Sequence, residues 1–287
     1  MGGLIVRKQD GSVLFDTRYI THGLIKSGYL QADETWPRKY LRGLNLDPDK
    51  GSSYDDSFRT GDQMFSISIN NAISPICFIV GKGCLQGTYR SGNTIKFLYS
   101  GGSASTKAYV FDLMADNVAG SPPWLKCRNQ QGAVTFNSLQ VPLNVLYSIQ
   151  PPGPNAADQW GRYTQPYAGG VWTLIRTQTA EQDSQAHFTI DIALPAGIEY
   201  AAFINYSRAA NGWLDGQMTG VNAKVIGHSE GAYGRVGGIS FMFGPAGATT
   251  QIDIVGIAYS LPASLTALTT APTALVIRTD NLPFPFN

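Results

Sequence analysis

From Phe65 to Ile69 apolar and polar residues alternate singly (Phe-Ser-Ile-Ser-Ile), the period of a strand with one buried face. Pro75 to Val80 is a short apolar run suited to a buried strand. Thr94–Tyr99 and Ala108–Met114 flank Gly101-Gly102-Ser103 and are expected to pair as a hairpin. The second half repeats the style, with strands expected over Val171–Arg176, Phe188–Leu194, Tyr200–Tyr206, Lys224–Ile226, Ile239–Phe243 and Gln251–Tyr259. No stretch sustains a helical period, and helix is expected to hold under about a tenth of the chain. The one candidate helical turn is Asp33–Leu41, interrupted at Pro37.

The clearest local signal lies near the start. Leu4–Gln9 and Ser12–Thr17 flank Asp10-Gly11, which predicts a hairpin closed by a type I′ turn. The run from Leu4 to Thr17 aligns without gaps on Leu125 to Ser138, and Leu, Arg, Gln, Gly, Val and Phe recur at matching places. Two similar hairpins with Gly11 and Gly132 at positive φ are therefore expected. Pro151-Pro152-Gly153-Pro154-Asn155 reads as a stiff linker. The fold class that follows is all-β: two β-sandwich-like domains, 1–150 and 151–287, with short hairpins and little helix.

Composition supports this reading. Charged residues are 14% of the 287, against a usual value of about 25%. With 32 Gly and 16 Pro, there is too little Glu and Lys to coat long surface helices. A net charge of +1 gives no electrostatic footprint for nucleic acid. No apolar run reaches the roughly 20 residues of a membrane span, so no membrane insertion is expected. The start lacks a basic region followed by an apolar run and a cleavage site, so synthesis in a cytoplasm is expected. Cys77, Cys84 and Cys127 are read as reduced structural thiols, the first two as core residues of neighbouring strands.

Candidate chemistry is sparse. His22, His187 and His228 show no metal-ligand spacing, and the acidic stretch Asp55, Asp56, Asp62 lacks the pattern of a calcium loop. Asp183, Asp191, Asp215 and Asp253 cannot be paired as glycosidase carboxylates from sequence. No catalytic, cofactor-binding or metal-binding residue is assigned, and the chain is read as a non-enzyme. The surface-binding candidates are aromatic: Trp160, Arg162, Tyr163 and Tyr167 in a Gly/Pro-rich loop, and Trp213 with Asp215 in a second loop. Flat rings beside polar groups suit a sugar or a protein partner. The tail Leu282-Pro283-Phe284-Pro285-Phe286-Asn287 is too rich in proline for helix or central strand, and its two rings need somewhere to dock.

The hairpin from Gly3-Leu4-Ile5-Val6 through Gly11 to Phe15-Asp16-Thr17, the Phe65–Ile69 alternation, and the second unit running into Val141-Pro142-Leu143-Asn144-Val145 resemble a family of siphophage tail-tip and fibre-associated structural proteins. The likeness covers roughly residues 1–150 and implies a virion part. On it, the first domain would anchor in the tail tip and the second face outward, as a receptor-binding or fibre-type protein. Partners would be other tail-tip or baseplate proteins, further copies in a trimer, and a host-surface glycan or protein. Leu4, Val6, Phe15, Phe284 and Phe286 are the expected assembly contacts. A purely structural baseplate subunit and a polysaccharide depolymerase are the alternatives.

Overall fold

The computed structural model describes residues 5–16, 19–41, 62–116, 124–175, 185–214, 223–254, 263–266 and 268–287. These residues form 22 strands and no helix, so the protein is all-β. A hairpin of β1 (Ile5–Arg7) and β2 (Val13–Asp16) is followed by β3 (His22–Tyr29), β4 (Gln31–Trp36) and β5 (Lys39–Leu41). Next come β6 (Asp62–Asn70), β7 (Ile76–Val80), β8 (Cys84–Ser91), β9 (Thr94–Ser100) and β10 (Lys107–Leu113). A second hairpin, β11 (Lys126–Arg128) and β12 (Val134–Asn137), leads to β13 (Tyr147–Ile149). The rest comprises β14 (Val171–Ile175), β15 (Gln185–Ala193), β16 (Tyr200–Ile204), β17 (Ala209–Leu214) and β18 (Ala223–Arg235). The last four are β19 (Gly238–Pro245), β20 (Thr250–Ile254), β21 (Ser264–Thr266) and β22 (Ala274–Arg278).

Strands β4-β6-β9-β8 make a four-stranded sheet, and a 14-stranded sheet takes all the others except the two small hairpins. Strands from both sides of residue 150 share the large sheet. β22 pairs with β13 and with β16, while β7 meets β16 and β18 through single bridges, Ala202↔Ile79 and Gly234↔Val80. Backbones press together at that seam: a Cβ on Gly234 would lie 1.7 Å from the Tyr200 carbonyl oxygen. The stretch expected as a linker is built into the body, with Pro151 buried and Asn155 bonded to Thr164 and Gln165.

The core explains the residue pattern. Ile25, Cys77, Ile79, Ala108 and Val110 face the four-stranded sheet's Ile67, Ile69, Ile95, Phe97 and Tyr99. The intervening residues Leu24, Phe78, Tyr109 and Phe111 form a second cluster on the other side. Strands β7 and β10 are thus covered on both faces, which is why they read as continuous apolar runs. A third cluster, centred on Phe188, Tyr200, Phe241, Phe243 and Leu265, fills the second half. Cys77 and Cys84 lie inside the core as free thiols, and burial pushes both up to about 12.

Several expectations need correction. Asp33–Leu41 holds no helical turn; it runs as β4 and β5. Thr94–Tyr99 and Ala108–Met114 do not pair with each other, because β9 lies between β6 and β8 while β10 lies between β3 and β7. Phe284 and Phe286, expected as assembly contacts, pack partly buried within this chain. The tail pairs with β3 through Ser27 N–H to the Phe286 carbonyl at 2.8 Å and Phe286 N–H to the Ser27 carbonyl at 3.0 Å. Phe284 meets Tyr29 edge-on at 4.9 Å and Tyr109 at 5.6 Å. Pro283 and Pro285 alternate with these inward rings and stay exposed, so their missing N–H groups cost nothing.

The repeat is matched in its backbone pairing. Ile5↔Asp16, Val6↔Phe15 and Arg7↔Val13 in the first hairpin correspond to Lys126↔Asn137, Cys127↔Phe136 and Arg128↔Val134 in the second, with the same bulge. Gly11 and Gly132 have φ of 84° and 79°. The turn differs from the expected type I′: Asp10 keeps a negative φ, and Gly11 N–H donates to the Lys8 carbonyl at 3.0 Å. It is a three-residue loop in which a type I turn ends in a left-handed glycine. Val6 and Cys127 pack on Met114, Val134 and Phe136. Leu4 and the Phe15 side chain lie outside the described residues.

Candidate functional site

The loop after Pro154 is folded by one aspartate. Asp158 Oδ1 accepts the backbone N–H groups of Trp160 and Arg162, each at 2.9 Å, and Oδ2 accepts Arg162 Nε at 2.8 Å. Gly161, at φ 72°, donates to the Asp158 carbonyl at 2.9 Å. This is the turn of the two repeated hairpins a third time: Asn129 Oδ1 likewise accepts Gln131 N–H and Ala133 N–H. Burial works against the Asp158 charge. The hydrogen bonds from Arg162 and Trp160 outweigh it and hold the carboxyl below its usual value.

That turn aims the Arg162 guanidinium at two indoles. Its central carbon lies 4.5 Å from the Trp160 ring centre and 5.9 Å from that of Trp213. Arg162 is only 9% exposed, whereas Trp160 is 64% exposed. The two segments are registered through β21. Tyr163 and Leu265 exchange backbone hydrogen bonds at 2.8 and 2.9 Å, and Trp213 of β17 pairs with Ser264. A cation fixed between ring faces, with one indole turned to solvent, offers an apolar plane whose edge carries polar groups.

The candidates from sequence therefore separate. Trp160, Arg162 and Trp213 come together, and Tyr163 fastens their loop. Trp213 stands on a strand, not in a loop. Tyr167 is no surface residue: it is fully buried, stacks on Phe243 at 5.7 Å, and donates its hydroxyl to Glu230 Oε1 at 2.7 Å. Glu230 is also held by Arg208 Nε at 2.6 Å and Nη2 at 2.8 Å. Burial, then the Glu230 charge, drives the Tyr167 phenol well above its ordinary value. Asp215 lies outside the described residues.

Sequence reasoning missed Asp158, whose signal is the recurrent x-Gln-x-Gly-x turn: Lys8–Ser12, Asn129–Ala133 and Asp158–Arg162. It also missed Trp124, which is 98% exposed just ahead of β11. Three buried carboxylates are committed to the fold: Asp62 to Arg38, Asp112 to the N–H groups of Ile73 and Ser74, and Glu230 to Arg208. Among the described residues, no group of three His, Cys, Asp or Glu side chains is placed to hold a metal ion. Comparison with protein-family models, curated proteins and solved structures finds no match to this chain.

Proposed function

We propose that this chain is a structural component of a bacteriophage tail tip that contacts the host cell surface through Trp160, Arg162 and Trp213. The virion assignment rests on the resemblance carried by the two hairpin units, which also share one geometry. The contact role rests on the indole–guanidinium stack. Trp160 is exposed while its backing is already ordered by Asp158 and Trp213. A preorganised aromatic anchor binds without a further ordering cost, and such anchors dominate interface energetics. A pyranose face or an apolar side chain fits the ring, and polar groups at its edge can orient either.

The test is Trp160→Ala and Trp213→Ala carried separately into particles. Both variants should be incorporated at the normal level. Trp160→Ala should weaken host adsorption about 30-fold, the loss of one dominant anchor, with a smaller effect for Trp213→Ala. Normal adsorption by both variants would reduce the chain to a plain scaffold. That purely structural reading is the second one, favoured by exposed Ile5, Val13, Tyr19 and Trp124 in and beside the two small hairpins.

A further inference from the structure

The two hairpins share a geometry, and Val6 and Cys127 share one cluster, but their other side chains differ in environment. In the second, Asp116 receives both Lys126 and Arg128, each at 2.5 Å, and Met114 packs on Val134 and Phe136. Arg128 is braced for this contact: Nη1 donates to the Gly132 carbonyl at 2.7 Å, leaving Nη2 for the carboxylate. A short segment just after β10, with an apolar residue two places ahead of an acid, thus covers this unit. Val134 is 7% exposed, in a cluster with Met114 and Phe136 against which Val6 and Cys127 also pack.

The first hairpin repeats the receiving side. Arg7 takes the place of Arg128, and its Nη1 donates to the Gly11 carbonyl at 2.9 Å. Yet Arg7 is exposed and meets no carboxylate among the described residues. Val13, in the place of Val134, is 48% exposed, and Ile5, in the place of Lys126, is 42% exposed. We infer that Ile5, Arg7 and Val13 form a docking surface for a neighbouring protein. Its occupant is a short segment with an apolar residue two positions before an Asp or Glu.

The occupant's chemistry follows from the internal precedent. The braced guanidinium takes the carboxylate in a charge-assisted pair, and Ile5 and Val13 cover the apolar side chain. The likeness ends at two places: Ile5 cannot supply the second cation that Lys126 gives Asp116, and Asp16 stands in the place of Asn137, whose amide donates to the Ala115 carbonyl. Recognition therefore depends on Arg7 and the two apolar side chains. None of this depends on the aromatic site at Trp160.

The probe is the chain's own covering sequence, acetyl-Leu-Met-Ala-Asp-amide, added to the isotope-labelled full-length chain and followed by nuclear magnetic resonance. The second hairpin keeps its tethered segment, because an intramolecular partner outcompetes a free peptide at equal intrinsic affinity. The peptide should shift the signals of Ile5, Arg7 and Val13 at millimolar concentration. Replacing its Asp by Asn should weaken binding about tenfold or more. Arg7→Gln, a change at an exposed position, should abolish the shifts while leaving the spectrum otherwise intact. The proposal is overturned if the peptide leaves those three residues unmoved, if the Asn peptide binds equally, or if Arg7→Gln binds as the parent does.

Discussion

Protonation of His187 in the unfolded chain should weaken the fold well before the carboxylates titrate. The ring is 3% exposed, and neither ring nitrogen has a hydrogen-bond partner in the described structure. Burial, helped by the charges of Lys82 and His228, lowers its pKa to about 4 from an ordinary 6.5. The unfolded chain therefore takes up this proton first as pH falls. The stability contributed by the neutral ring is complete above 6.5 and is lost as pH falls through about 4. The two values differ by an amount worth about 3 kcal/mol at the acid limit, of which about 2 kcal/mol is already lost near pH 5. That is a large part of the roughly 5–15 kcal/mol that holds a typical domain together. The clean comparison is His187→Phe, which removes the titrating group without orphaning any partner, since the ring has none. Urea unfolding would be measured at about pH 7.5 and about pH 5 for both proteins. The parent should lose about 2 kcal/mol more than the variant between the two conditions. An equal loss would refute the reasoning.

Removing residues 282–287 should lower stability by about 2–4 kcal/mol, from two partly buried rings, visible as an earlier thermal transition of the isolated chain. An unchanged transition would return the tail to an assembly role. Arg208→Met should cost about 3–5 kcal/mol in denaturant unfolding, because it strands the Glu230 carboxylate in the core; adding Glu230→Leu should recover part of that loss.

Where local chemistry decides the structure, the residues announced it. The glycines at 11 and 132 mark turns that only a left-handed residue closes, and the pairing of each hairpin follows. Phe65–Ile69 alternates because one face of β6 is in the core. Failures came where distant chain supplies the partner. Strand β17 contains Asn211-Gly212 and looks like a loop; it is a strand because β18 and β21 flank it. Glu230 sits in His-Ser-Glu-Gly, where nothing local marks it as buried; Arg208 and Tyr167 hold it from elsewhere in the chain. Tyr167 was misplaced for the same reason. Trp160 and Trp213 were legible as aromatics in polar company. Their meeting over Arg162 was not, since it depends on the bridge between Tyr163 and Leu265.

The C-terminal strap also orders events in time. Asn287 donates to the Ile25 carbonyl across 262 positions of chain, and Ser27 waits for Phe286. A ribosome adds only about 5–20 residues each second, so β3 is made well before its partner. Until residues 282–287 emerge, the edge of β3 is uncovered, and Tyr109 lacks the Phe284 ring that caps it. A nascent chain in that state offers an open strand to whatever extended peptide lies nearby. Residues 282–287 thus close the sheet begun by β3 only after the segments between them have been made.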